Sequence, residues 1–343
     1  MEILNSFFVQ PFISLGSSLA AADGIAGVVD ALDSFVWGPV MIFLLLGTHV
    51  FMTIRTGFIQ RKLGIGIKLS VAKDPDAKGD VSQFAALTTA LAATLGTGNI
   101  VGVATAVVVG GPGAVFWMWM TGVFGIATKY AETYIAVKYR VRDHNGNMLG
   151  GAMYALERGF KRKALARVIA ILFAVFAAVA AFGIGSAVQA NSLAGAITSL
   201  VPAESGISAI VSIGGFETTI LKIIIGIVVV ILVSLVIFGG IQVISRVCEK
   251  LIPFMAIFYV LGCLIVIVMN GAFFLDAIVL IVTAAFTPTA AFGGAVGASV
   301  MIALQMGCAR GLFSNESGMG SAPLVAAAAT TRNPARQALV SMT

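Results

Sequence analysis

Apolar and polar positions fall into long apolar blocks parted by short charged stretches. A helix needs about 20 apolar residues to cross a bilayer. The blocks predict spans at 35–54, 84–109, 114–137, 167–200, 221–241, 251–271 and 290–327. Residues 274–287 are apolar but short for a span and read as a re-entrant or surface segment. Residues 1–34 read as an extracytoplasmic segment lying on the membrane surface. Glu2 precedes their apolar part and no Lys or Arg does, so they lack the pattern of a cleaved signal.

Two of the blocks are interrupted at mid-depth. Residues 94–105 read TLGTGNIVGVAT, and residues 311–323 read GLFSNESGMGSAP. Glycine costs a helix interior about 1 kcal/mol relative to alanine, and a backbone opened in lipid leaves N–H and C=O groups unpaired at several kcal/mol each. Two such interruptions are tolerable where they line a cavity and the freed groups bind something. Paired broken helices are the sequence signature of a secondary transporter's substrate site.

Charge sets the expected orientation. The 55–80 and 138–167 connections are rich in Lys and Arg, the 242–250 loop carries Arg246 and Lys250, and residues 328–343 carry Arg332 and Arg336. The intervening connections are acidic or uncharged: Asp23, Asp30 and Asp33 in the first, GGPG at 110–113, Glu204 and Glu217 in the third, Asp276 in the last. Seven spans then alternate with the N-terminus outside and every basic connection inside.

Composition agrees. The chain is 59% hydrophobic and 10% charged, with mean hydropathy +1.03, which places it among multi-pass membrane proteins whose surroundings are a lipid bilayer. The net charge of +6 comes from loops beside apolar blocks and does not point to nucleic acid. The three cysteines form no disulfide framework or metal spacing, and His49 and His144 stand far apart. No HExxH, GxSxG or paired intramembrane Asp occurs, so an enzyme is not expected. Within the spans, Lys129 and Glu132 read as a local ion pair with a snorkelling lysine. Arg310 and Glu316 flank the second interruption and read as coupling or gating residues, or as a buried pair with each other.

Several stretches together resemble the sodium:alanine (alanine or glycine:cation) symporter family. They are Gly96–Thr105 (GTGNIVGVAT), Gly110–Glu132 (GGPGAVFWMWMTGVFGIATKYAE), Gly150–Glu157 (GGAMYALE) and Gly311–Pro323, with support from Ser34–Pro39 (SFVWGP) and Phe182–Asn191 (FGIGSAVQAN). Ala152 departs from the pattern, where Pro is expected after the glycine pair. The resemblance implies an all-α integral membrane protein of leucine-transporter-like architecture, an inverted repeat of five plus five helices preceded by one extra helix. On that reading residues 35–54 are the extra helix and 84–271 the first repeat, with its broken helix at 84–109. Residues 290–327 are the broken first helix of the second repeat, and 328–343 the cytoplasmic start of the next segment. The sequence stops at QALVSMT, where a further helix would begin, so about four helices of the fold are expected beyond it.

The implied activity is sodium-coupled symport of a small neutral amino acid, alanine or glycine, into the cell across the inner (cell) membrane. The alternatives are proton coupling or, in a different class, an ion channel, which would need a ring of carbonyls or charges. The substrate carboxylate would sit on the amides that open at Gly98, Asn99 and Ile100, and its ammonium on carbonyls where the second half-helix ends near Gly311–Phe313. Thr97, Gly98, Asn99, Gln189, Phe313 and Asn315 are the candidate substrate contacts, those for Thr97, Gln189 and Phe313 resting on the resemblance. A sodium ion would take hard oxygens at Thr94, Gly96 and Thr97.

Overall fold

The computed structural model describes residues 10–20, 23–72, 74, 77–202, 205–214, 216–287 and 300–343. Glu2, Glu204 and the first ten residues of the 290–327 block lie outside the described residues.

The chain is mostly helical. Helices α1 (Gln10–Ala20), α2 (Gly24–Val36) and α3 (Pro39–Arg55) open it, and α2 and α3 follow each other with a bend of 40°. After α4 (Leu63–Val71) comes α5 (Gln83–Thr94), whose start is capped by Ser82 Oγ accepting the Ala85 N–H at 2.9 Å. A wide π turn at Gly98–Gly102 leads into α6 (Val103–Gly110), the pair bent by 49°. Helix α7 (Gly113–Lys138) returns across the molecule. A short hairpin, β1 (Val141–Arg142) with β2 (Met148–Leu149), pairs Val141 with Leu149, and α8 (Ala152–Gly159) follows. Then come α9 (Lys163–Ala180), a π turn at Ala181–Ala187 and α10 (Val188–Ser199) as one long span. A hairpin of β3 (Ile210–Ile213) and β4 (Phe216–Thr219) precedes α11 (Ile220–Ile237), α12 (Gly240–Met269) and α13 (Phe274–Ala284). Helices α14 (Val300–Asn315), α15 (Ala322–Ala327) and α16 (Pro334–Ser341) follow.

Two kinds of surface organise these helices. Along α9 to α13, large apolar side chains such as Phe176, Val179, Phe238, Phe258 and Val268 face outward, as lipid contact requires. Around α7 the buried residues are small: Ala114 and Ala127 on α7, Ala303 and Cys308 on α14, Ala326 and Ala327 on α15. Small residues let backbones approach where lipid removes the hydrophobic drive for helix pairing. Gly311 is the tightest case, since a Cβ there would run into Thr121 Oγ1. It is therefore a packing residue inside α14 and not the end of a half-helix. On its other side α7 holds α3 through His49 Nδ1 and Thr128 Oγ1 at 2.7 Å.

Three expectations need correcting. The basic 242–250 stretch is not a loop: α12 begins at Gly240 and runs through Arg246 and Lys250, and only Phe238 and Gly239 turn the chain after α11. The second half-helix ends at Asn315, later than Gly311–Phe313, because Glu316 takes a left-handed backbone (φ +53°). Lys129 does not snorkel to solvent. It is 8% exposed, and its ammonium donates to the Asn315 carbonyl at 3.3 Å.

Where α7 ends, Arg140 ties distant segments together. Its guanidinium donates to the carbonyls of Ala327 (2.9 Å), Ala329 (2.7 Å), Thr331 (2.7 Å) and Lys78 (3.3 Å). Beside it the Asp80 N–H donates to the Ala328 carbonyl and the Thr330 N–H to the Val81 carbonyl, each at 2.8 Å. Burial lowers the Arg140 pKa, opposed by Asp80 opposite it. In the β1–β2 turn Asp143 is held below the usual carboxylate value, chiefly by its hydrogen bond from the Asn147 side chain.

Candidate functional site

The first break opens because α5 runs out at Leu95–Gly96 and the next hydrogen-bonded turn starts only at Gly98. The freed groups find neutral partners. The Thr94 carbonyl accepts Asn99 Nδ2 at 2.7 Å, and the Gly96 carbonyl accepts the Asn99 N–H at 3.2 Å. The Thr97 N–H donates to Gln189 Oε1 at 3.3 Å. The Asn99 carbonyl accepts the Tyr259 hydroxyl at 3.2 Å.

The second break lies at residues 316–321, between α14 and α15. Here the partners carry charge. Lys129 holds the Asn315 carbonyl, and the amides of Gly318 and Gly320 stabilise the Glu132 carboxylate electrostatically, its Oε2 being buried without a hydrogen-bond partner among the described residues. The Ser317 N–H donates to Asn315 Oδ1 at 2.9 Å, and Ser321 Oγ donates to Glu316 Oε2 at 3.0 Å.

The two breaks touch. Gly98 lies against Phe313: a Cβ there would come within 2.7 Å of the Phe313 ring, so glycine permits the approach. Ser314 Oγ donates to Asn99 Oδ1, joining the breaks directly. A cavity of about 220 Å³ opens at this junction, lined among others by Thr94, Gly96, Gly98, Gln189, Phe313 and Glu316. A second cavity of about 580 Å³ is lined by Asp33, Trp37, Thr97, Gln305, Arg310 and Phe313 among others. Phe313 borders both.

The candidate residues thus divide. Gly98, Gln189 and Phe313 meet at the small cavity with Thr94, Gly96 and Glu316. Thr97 and Arg310 line the larger one, and Arg310 does not pair with Glu316, whose carboxylate is bonded to Ser321. Asn99 links the breaks behind the small cavity. Asn315 turns its amide oxygen to the loop and is not brought to either cavity.

Oxygens for a hard cation are partly spoken for, since Asn99 takes one lone pair of each of the Thr94 and Gly96 carbonyls and leaves each a second. Thr97 Oγ1 is different. It is buried and has no hydrogen-bond partner among the described residues. The described residues contain no cluster of His, Cys, Asp and Glu that would hold a metal.

Local patterning does not disclose Lys129, Glu132 or Tyr259 as partners of the breaks. The charge itself, a Lys and a Glu three apart within a span, is the available signal.

Comparison with known proteins supplies a frame for this geometry. The model of the sodium:alanine symporter family matches residues 22–343. The chain is similar to a transporter of Haemophilus influenzae, 52% identical over 320 residues, covering 93% of this chain and 66% of that protein. It is also similar to the sodium/alanine symporter AgcS of Methanococcus maripaludis, 48% identical over 319 residues, 92% of this chain and 66% of that protein. The amino-acid carrier protein AlsT of Bacillus subtilis is 36% identical over 314 residues, 91% of this chain and 62% of AlsT. The chain spans slightly less than two thirds of the length of these relatives.

Proposed function

Since this chain belongs to the sodium:alanine symporter family, we propose that it forms the substrate-binding part of a secondary transporter that moves a small neutral amino acid, alanine or glycine, into the cell with sodium. The observation that carries this reading is the meeting of the two breaks around a cavity of about 220 Å³. That volume is below the range of about 300–1,000 Å³ usual for drug-sized ligands and suits a small molecule. The Gln189 amide and the opened backbone at Gly96–Gly98 offer polar contacts to a zwitterion, and the Phe313 ring offers a wall for a methyl group. Thr97 Oγ1, buried and unpartnered among the described residues, is a ligand for sodium or for the substrate. The architecture behind this is the five-plus-five inverted repeat with one extra N-terminal helix, the basic loops inside.

The driving force is sufficient. One sodium ion moved with a zwitterion carries one net charge, worth about 2.3 kcal/mol per 100 mV. A tenfold sodium gradient adds about 1.4 kcal/mol, and the sum supports accumulation of roughly a few hundredfold.

Purified protein in liposomes tests this. An inward sodium gradient should drive uptake of radiolabelled alanine, and replacing sodium with choline should abolish it. Uptake that persists without sodium and collapses with the proton gradient would instead favour proton coupling. The Glu316 carboxylate on the cavity wall is the observation that keeps this second reading in view.

A further inference from the structure

Lys129 and Glu132 are spaced three apart on α7, so they project from one face of that helix. That face meets the second break. The ammonium lies on the carbonyl end of α14, at Asn315, where the helix dipole favours a cation. One turn further along, the Glu132 carboxylate is stabilised by the amides of Gly318 and Gly320, which the break deprives of helical partners, while its Oε2 is buried with no hydrogen-bond partner among the described residues. Lys129 also lies within the field of Glu316, so one cation serves two carboxylates. The sign of each charge is the one its end of the break requires.

We propose that Lys129 and Glu132 are positioning residues, a charged clasp on α7 that holds the second break open and so sets one wall of the small cavity. The route from clasp to cavity is short. Phe313 and Glu316 line the cavity, Asn315 between them is the residue Lys129 holds, and Ser314 carries the geometry to Asn99 in the first break. Neither charged group lines the cavity, so the pair acts through the loop it shapes and not by touching the substrate. The transport consequence rests on the function proposed above. The structural consequence does not.

The test has two arms. In the first, a cysteine replaces Met319, which lines the cavity on the break itself, in a protein whose three native cysteines are replaced by serine. Its rate of reaction with a maleimide reports how firmly the break is held. Glu132→Gln, which keeps size and removes charge, should raise that rate at least fivefold, while Lys129→Arg should leave it within twofold. In the second arm, Glu132→Gln should raise the KM for alanine at least fivefold while changing the maximal uptake rate less than twofold. An unchanged labelling rate in Glu132→Gln would overturn the clasp, whatever happens to KM. A labelling rate that rises without any change in KM would overturn its role in shaping the site. If the unsubstituted protein takes up no alanine, the transport reading falls, and the labelling arm still decides the clasp.

Discussion

The two breaks face one requirement, that no backbone group be left unpaired within the membrane, and meet it with different chemistry. The first relies on neutral partners: Asn99, Gln189 and Tyr259. It leaves one hydroxyl, Thr97 Oγ1, buried and unclaimed among the described residues. The second relies on the charged Lys129 and Glu132, with Glu316 beside them. Charged groups are costly to bury and are retained where their geometry is well matched. A break held by neutral amides keeps its spare hydrogen-bonding capacity for a guest. A break held by charges is left with a charged acceptor instead, since Glu132 Oε2 is buried without a hydrogen-bond partner among the described residues. The contrast predicts that the first break binds and the second shapes.

The largest test is Lys129→Met. It strands Glu132 and Glu316 without a cation and should destabilise the protein by about 3–5 kcal/mol, the usual cost of removing one partner of a buried charge set. A fall in the thermal unfolding midpoint in detergent, well beyond that of Asn99→Ala, is the expected outcome. Equal falls would erase the contrast between the breaks.

Next in size are Thr97→Ala and Gln189→Ala at the first break. Each should cost about 1–3 kcal/mol in substrate binding, the range for leaving a buried polar partner unmet. That is roughly 5- to 150-fold in alanine affinity, read by isothermal calorimetry, with the unfolding midpoint little changed. If affinity holds in both variants and each folds normally, the first break is not the binding element.

The smallest is Tyr259→Phe, which removes a single neutral hydrogen bond to the Asn99 carbonyl. About 0.5–1.5 kcal/mol is expected, visible as a modest shift in the unfolding midpoint. A loss approaching that of Lys129→Met would mean that the neutral break is the more fragile of the two.

Much of this is legible in the residue pattern. Clustered glycine with Thr, Asn and Ser marks both breaks, because that composition weakens a continuous helix. What escapes the pattern is decided by partners far off in sequence. Lys129 and Glu132 look like a local pair because they are three apart, yet the carbonyl that Lys129 serves is 186 residues away. The end of α14 at Asn315 depends on that same contact and on the left-handed backbone at Glu316, a residue type that carries no local mark of either. The helical path through Arg246 and Lys250 is hidden because charge density suggests a loop, whereas Lys and Arg are good helix formers. Asn99 and Asn315 look alike in sequence, and only tertiary placement separates the one that bridges the breaks from the one that caps its own loop.

The guanidinium of Arg140 has a consequence for assembly in time. The carbonyl of Ala329 that it binds is 189 residues later in the chain. At the usual synthesis rate of about 5–20 residues per second, α7 is complete roughly 10–40 s before these partners exist. During that interval Lys129, Glu132 and Arg140 have none of the contacts that α14 and residues 327–331 later provide. The lipid-facing helices α9 to α13 are made in the meantime and cannot supply those contacts. The second break and α16, whose Leu339 joins Ala127 and Tyr130 of α7 in one apolar cluster, therefore reach α7 late, and the pace of their arrival governs when that core locks.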